Sequence, residues 1–266
     1  MASPRVIQAE GRQGQPCRPH LRMSIPETLD GASGGILLLC DHASNVVPAG
    51  VDLGISPVIL DKHVGFDIGT APLTRALSHV LGAPAVLATV SRLVIDLHRQ
   101  PDHPGLIPQV SDGHPIPGNV EIDRDDRIAR FYRPYHRVLD ETIRAVKPTL
   151  LAAIHSFTPQ LEAGENPLRP WDIGILSNRD RRAADTALPL LRELGLVVGD
   201  NEPYSGRLLN ATLNRHGEGR GIPGIAIEIR NDLLSDEAGV QRWTDILAPI
   251  LLEIRNRLAR EGRLAT

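Results

Sequence analysis

An α/β fold with a mixed, largely parallel sheet flanked by helices on both faces is the architecture this sequence predicts, on three observations. Short uninterrupted apolar runs alternate with segments whose apolar residues recur every three or four positions, the pattern of strands covered on both faces and joined by helices. The runs are bounded by Gly, Pro and small polar residues, as strands are. The chain has 266 residues, 41% of them hydrophobic, enough to bury the core of one large domain.

In chain order, residues 1–33 carry Gly, Pro, Gln and Arg without apolar periodicity and read as a flexible leader, leaving 34–266 as a single α/β domain. The strand candidates are GILLLC at 35–40, PAVLATV at 84–90, LVIDL at 93–97, TLLAAIH at 149–155, WDIGILS at 171–177, LVVGD at 196–200 and IPGIAIEIR at 222–230. Helical periodicity fills about 60–81, 124–147, 180–194, 207–215 and 236–260. The last is the clearest: Trp243, Ile246, Leu247, Ile250, Leu251, Ile254 and Leu258 make one apolar stripe that should pack on the sheet. Residues 100–122, rich in proline and turn formers, read as one long loop.

Charge and composition remove several classes of function. A formal net charge of −3, with basic residues scattered among acids, gives no footprint for nucleic acid. No apolar run reaches the roughly 20 residues of a membrane span, and the beginning of the chain lacks a signal-peptide core, so a cytoplasmic location is the default expectation. The two cysteines, Cys17 and Cys40, do not make a disulfide framework, and Cys40 reads as a buried, inert thiol.

The functional signal is a convergence at strand ends. His42 follows the first strand, Asp96, His98 and Arg99 end or follow the third, His155 ends the fourth, and Glu228 with Arg230 stands in the last. In open α/β sheets the C-terminal strand ends are where ligands bind. Two imidazoles and a carboxylate suit a divalent ion such as zinc. Glu228, between Ile227 and Ile229, must be buried and therefore needs a charged partner.

CDHASNVVP, KHVGFDIG, SRLVIDLHR, FYRPYHRVLD, IHSFTP and GIAIEIRND, in this order, resemble the N-formylglutamate amidohydrolase family. Parts also resemble the zinc carboxypeptidase and succinylglutamate desuccinylase group: HS at 155–156, DLHR where that group has Asp-Leu-Asn-Arg, and EIR at 228–230 where it has Glu-Leu-Arg. The resemblance implies a phosphorylase/hydrolase-like, zinc-carboxypeptidase-like fold. It also implies a hydrolase that removes a formyl or other small acyl group from an amino acid, with N-formyl-L-glutamate as lead substrate and a place in amino-acid catabolism, at the end of histidine breakdown or in a related salvage step. Its cofactor would be a divalent metal, zinc first and cobalt or manganese as options. Its partner would be a small N-acyl amino acid, and the chain a monomer or small homo-oligomer.

On that resemblance His42 and His155 would bind the metal, Glu228 would be the general base, Arg92 would stabilise the oxyanion and Arg99 would hold the substrate carboxylate. The carboxypeptidase His-x-x-Glu motif is absent, since Asn45 stands three residues after His42. The third ligand is therefore open among Asp67, His63 and Asn45, in that order. Tyr204 and Arg207, in the loop after 196–200, are candidates for substrate contact. Tyr132, Tyr135 and His136 read as the packed face of a helix. Ser44 and Ser156 lack the Gly-x-Ser-x-Gly elbow of a nucleophile, and GEGRGIPG at 217–224 leads into a strand, unlike a phosphate loop. Two other readings stay open: a deacylase or carboxypeptidase-like hydrolase on another N-acyl compound or short peptide, and a metal-free carboxylate-binding protein.

Overall fold

The computed structural model describes residues 24–33 and 35–264. Its main sheet holds β1 (Glu27–Leu29), β2 (Ile36–Cys40), β3 (Ala85–Leu87), β6 (Leu150–Phe157), β7 (Ile173–Leu176), β8 (Val198–Asp200) and β9 (Gly224–Arg230); β4 (Val110–Ser111) and β5 (His114–Pro115) form a separate small hairpin. The spatial order is β1-β3-β2-β6-β9-β7-β8. The four central strands β3, β2, β6 and β9 are parallel, while β1 and the β7–β8 pair run the other way. The sheet is mixed and mostly parallel, and the C-terminal ends of β2, β6 and β9 lie side by side along one edge.

The described residues form the α-helices α1 (Pro57–Leu60), α2 (Thr70–Leu81), α3 (Arg124–Arg127), α4 (Arg133–Val146), α5 (Arg182–Glu193) and α6 (Ala211–His216) between strands and α7 (Glu237–Leu264) after the last. Strand alternation sorts the side chains between two cores. Ile225, Ile227 and Ile229 of β9 join Leu73 and Leu77 of α2, Leu191 of α5, and Trp243, Leu247, Leu251 and Ile254 of α7. Leu37, Leu39, Leu151, Ala153 and Ala226 join Tyr135, Leu139 and Ile143 of α4 on the opposite face. The α7 stripe thus packs as its periodicity predicts. Each fully buried leucine in these layers stabilises the fold by about 1.5–3 kcal/mol.

Between α3 and α4 the helix widens to a π turn over Ile128–Tyr132, with Arg133 N–H donating to Ile128 O. Pro134 has no N–H to offer the carbonyl four residues back, and Arg130 O instead accepts from Ser24 N at 3.3 Å. The widened turn sits over the loop that carries Asp96, His98 and Arg99: Tyr132 OH donates to Arg99 O at 3.1 Å.

Several expectations are corrected. The expected leader 1–33 contains a strand, since β1 pairs antiparallel with β3 at the sheet edge; residues 1–23, with Cys17, lie outside the described residues. Residues 93–97 are turns and not a strand. Their apolar side chains are buried, but their carbonyls are taken by side chains: Asn119 donates to Leu93 O at 2.7 Å and Arg127 to Val94 O at 2.8 Å. An apolar run with its backbone satisfied this way looks in sequence like a strand. The helix expected over 60–81 starts only at Thr70. Gly69 has φ +81°, and a Cβ there would lie 2.3 Å from Leu234 Cβ, so the chain turns sharply before α2 begins. His63 and Asp67 therefore do not share a helix.

Candidate metal centre and active site

Register places the site. Leu39 of β2 lies level with Ala153 of β6, and His155 of β6 level with Glu228 of β9. Two residues past Leu39, Asp41 reaches the level of His155 and Glu228 on the same sheet face. His42 follows, and its carbonyl accepts from Asp67 N at 3.0 Å, which pins the 61–69 turn against the end of β2. Ser156 Oγ donates to Ile68 O at 2.8 Å and fastens the same turn to β6.

Asp67 is the meeting point. Its Oδ2 lies 3.3 Å from His42 Nδ1 and 3.0 Å from His155 Nδ1, and its Oδ1 accepts from Arg92 at 3.0 Å. The other arm of Arg92 donates to Asp96 Oδ2 at 3.0 Å. Asp96 Oδ1 in turn sits 2.8 Å from His42 Nε2. His155 Nε2 faces Asp41 Oδ2 at 3.6 Å and is buried with no hydrogen-bond partner among the described residues. Each imidazole therefore turns Nδ1 toward Asp67 and Nε2 toward a second carboxylate.

The electrostatics follow from this packing. Burial disfavours a charge on His155, but the facing carboxylate of Asp41, the hydrogen-bonded Asp67 and the nearby Glu228 outweigh it and raise its pKa to about 10. His42 is raised as well, with Asp96 and Asp67 overcoming burial and Arg92. Burial alone would push Asp67 up; His42, His155 and Arg92 hold it below the usual carboxylate range. Burial pushes Glu228 up to about 7 against the pull of His155, and its Oε2 is buried without a partner.

These residues fit a divalent cation. Donor atoms of His42, Asp67 and His155 lie within 4.8 Å of one another, all buried. The two imidazoles and the carboxylate are the donor set such an ion takes, and a cation would replace the protons they now share around Asp67. A carboxylate behind each ligating imidazole is the usual supporting arrangement.

Of the residues nominated from sequence, His42, Asp67, Arg92, Arg99, His155, Tyr204 and Glu228 line one cavity of about 130 Å³. Arg99 lines it with Nε 3.7 Å from Asp96 Oδ2. Tyr204 lines it with its hydroxyl accepting from Arg169 at 3.0 Å. Arg207 is exposed and outside this lining. The alternative third ligands are drawn elsewhere: His63 Nε2 lies 2.9 Å from Asp112, and Asn45 donates to Asp61 at 2.7 Å. His98, the departure from the carboxypeptidase Asn, contacts Asp41 Oδ2 at 2.8 Å and Leu209 O at 3.1 Å. A larger cavity of about 620 Å³ lies against α4, and none of the nominated residues lines it.

Sequence reasoning missed Asp41, Tyr135 and Arg169. Asp41 continues the period-two face of Leu37 and Leu39, a signal legible in the strand had its end been extended. Tyr135 packs in the core as expected, yet its hydroxyl donates to Asp41 Oδ1 at 2.5 Å. Arg169 sits over the Tyr204 ring, 5.1 Å from its centroid, and nothing local in the sequence points to it.

A family model, N-formylglutamate amidohydrolase, matches residues 34–235. None of the curated proteins matches the chain. A gene product of Agrobacterium tumefaciens of solved structure is similar at 31% identity and TM-score 0.82, over 88% of this chain and 96% of that one. The N-formylglutamate amidohydrolase of Ralstonia eutropha JMP134 is similar in fold, with 22% identity and TM-score 0.62 over 90% of this chain and 98% of that one. A metallo-carboxypeptidase from Pseudomonas aeruginosa aligns at 12% identity and TM-score 0.42, over 85% of this chain and 58% of that one. With the family model spanning residues 34–235, which include His42, Asp67, Arg92, His155 and Glu228, the chain belongs to the N-formylglutamate amidohydrolase family and is a hydrolase acting on an amide bond.

Proposed function

We propose that this chain is a metal-dependent amidohydrolase that removes the formyl group from an N-formyl amino acid, with N-formyl-L-glutamate as the lead substrate and formate and L-glutamate as products. The observation that carries the reading is Glu228, a buried carboxylate whose Oε2 has no partner, set at the level of His155 in a cavity of amino-acid size. His42, His155 and Asp67 would hold the ion. When bound, a divalent ion supplies Lewis acidity toward the amide carbonyl and lowers the pKa of water.

The side chains account for the rest. Glu228, with a pKa near 7, takes a proton from the attacking water and returns it to the nitrogen of the leaving amine as the C–N bond breaks. Arg92 uses one N–H on Asp67 and one on Asp96; its remaining donors are available to the oxyanion that develops on the formyl oxygen. Arg99, with one loose contact to Asp96, offers its planar fork to the substrate carboxylate. Tyr204, fixed by Arg169, lines the same cavity and would contact the substrate.

The test is formate release from N-formyl-L-glutamate by purified protein, before chelation, after it, and after adding back zinc, cobalt or manganese. Activity that vanishes with chelation and returns with metal is the expected result. Formate release that survives complete chelation would overturn the metal dependence, and no formate under any condition would overturn the substrate.

A further inference from the structure

Asp41 is fully buried, and among the described residues no arginine or lysine pairs with it. Its carboxylate is held by groups from three other parts of the chain. Tyr135 of α4 donates to Oδ1 at 2.5 Å, His98 Nδ1 lies 2.8 Å from Oδ2, and His155 Nε2 of β6 faces the same Oδ2 at 3.6 Å. His98 is anchored on its far side by Leu209 O, an acceptor 3.1 Å from its Nε2, so it cannot turn away without losing that bond. A buried carboxylate is costly to maintain unless each oxygen is engaged, and this one is aimed at an imidazole nitrogen that has no hydrogen-bond partner of its own.

We propose that Asp41 is the positioning residue for His155, with Tyr135 and His98 fixing its carboxylate so that His155 presents Nδ1 to a metal ion. The inference rests on the reading of His155 as a metal ligand. An imidazole that ligates through Nδ1 must carry its hydrogen on Nε2, and that hydrogen needs an acceptor. Asp41 Oδ2 is the carboxylate oxygen that faces it, at 3.6 Å. His42 obeys the same rule with Asp96, whose charge is shared with Arg92. Among the described residues Asp41 has no such cation, so its negative charge is directed at the imidazoles of His98 and His155. Carboxylates in this supporting position govern metal affinity by about 10- to 100-fold.

The experiment compares wild type, Asp41→Asn, Tyr135→Phe and His42→Ala for zinc affinity by competition with a chromophoric chelator, and for the visible spectrum of the cobalt-loaded protein. Circular dichroism checks folding. Asp41→Asn should weaken zinc binding about 10- to 100-fold and alter the cobalt absorption bands; Tyr135→Phe, which leaves the carboxylate but removes one of its donors, should weaken it in the same direction by a smaller factor. Wild-type affinity and spectrum in folded Asp41→Asn would overturn the proposal. If Asp41→Asn does not fold, wild-type affinity in Tyr135→Phe overturns it. His42→Ala separates the two readings. If wild type binds zinc and His42→Ala loses it while Asp41→Asn matches wild type, only the Asp41 role falls. If wild type binds no metal, both fall.

Discussion

Glu228 and His155 stand directly opposite each other in the parallel register of β9 and β6, both buried, on the sheet face that carries the cavity. Adjacent parallel strands are about 4.8 Å apart, so the Glu228 carboxylate on one and the His155 imidazole on the next are held at a separation that backbone hydrogen bonding sets. Neither residue depends on a flexible loop for its place. Such a pair is preorganised, and preorganisation is where enzymes gain most of their electrostatic advantage.

Glu228→Gln should therefore separate binding from chemistry. The amide is the same size and keeps the packing, but it has no lone pair basic enough to accept a proton from water. Turnover of N-formyl-L-glutamate should fall about 10²-fold or more while zinc stoichiometry and KM stay near wild type. Near wild-type turnover would remove Glu228 from the role of base.

Stability of the metal-free protein should respond to pH through the same residue. The folded pKa of Glu228, about 7, lies above its ordinary value of 4.5. The fold thus favours the protonated form, so its contribution is fully present below 4.5 and is lost as pH rises through 7. The loss is at most about 3 kcal/mol. The melting temperature of chelated wild type should drop between about pH 4.5 and 8, and Glu228→Gln should flatten that drop. Parallel curves for the two proteins over this window would contradict the assignment.

How much of this could be read from the sequence depended on whether the signal was local. The apolar run at 36–40, the stripe on α7 and the strand-end residues His42, His155 and Glu228 are local patterns, and the structure holds them where those patterns point. The trio around Asp67 was only partly legible, because Asp67 reaches it from a turn and not from a helix, and that turn depends on Gly69 packing against Leu234 across a long sequence separation. Residues 93–97 read as a strand in sequence because burial in the core layer that holds Tyr135 and Leu139 selects the same apolar residues that a sheet would. Arg169 and Tyr135 act through tertiary contacts with Tyr204 and Asp41, which carry no sequence spacing at all.

Arg99 should show its role through substrate form. It lines the cavity and is held only loosely by Asp96, at 3.7 Å. Arg99→Ala should raise KM for N-formyl-L-glutamate by about 10-fold or more, in line with loss of a charge-assisted bond of about 1.5–3 kcal/mol. It should change KM for the dimethyl ester much less. Equal effects on acid and ester would take Arg99 out of carboxylate recognition.

Gly69→Ala tests whether the turn, rather than the helix behind it, delivers Asp67. The added methyl would lie 2.3 Å from Leu234 Cβ and 2.7 Å from Leu234 O, at a φ of +81° that alanine rarely adopts. Either the turn or the segment around Leu234 must shift. The backbone strain alone is about 1–3 kcal/mol, so the melting temperature should fall. The second consequence is specific to the site. Asp67 is two residues away, with its N–H bonded to His42 O and its carboxylate to both imidazoles and Arg92. A shift of the turn by a few tenths of an ångström loosens all of these together, so zinc affinity should fall along with stability. A control such as Leu251→Ala, which opens a cavity in the core on the far face of the sheet, should lower stability by about 2–5 kcal/mol and leave zinc affinity unchanged. Gly69→Ala that is destabilised but binds zinc as tightly as wild type would show that Asp67 is placed by its own hydrogen bonds and not by the turn.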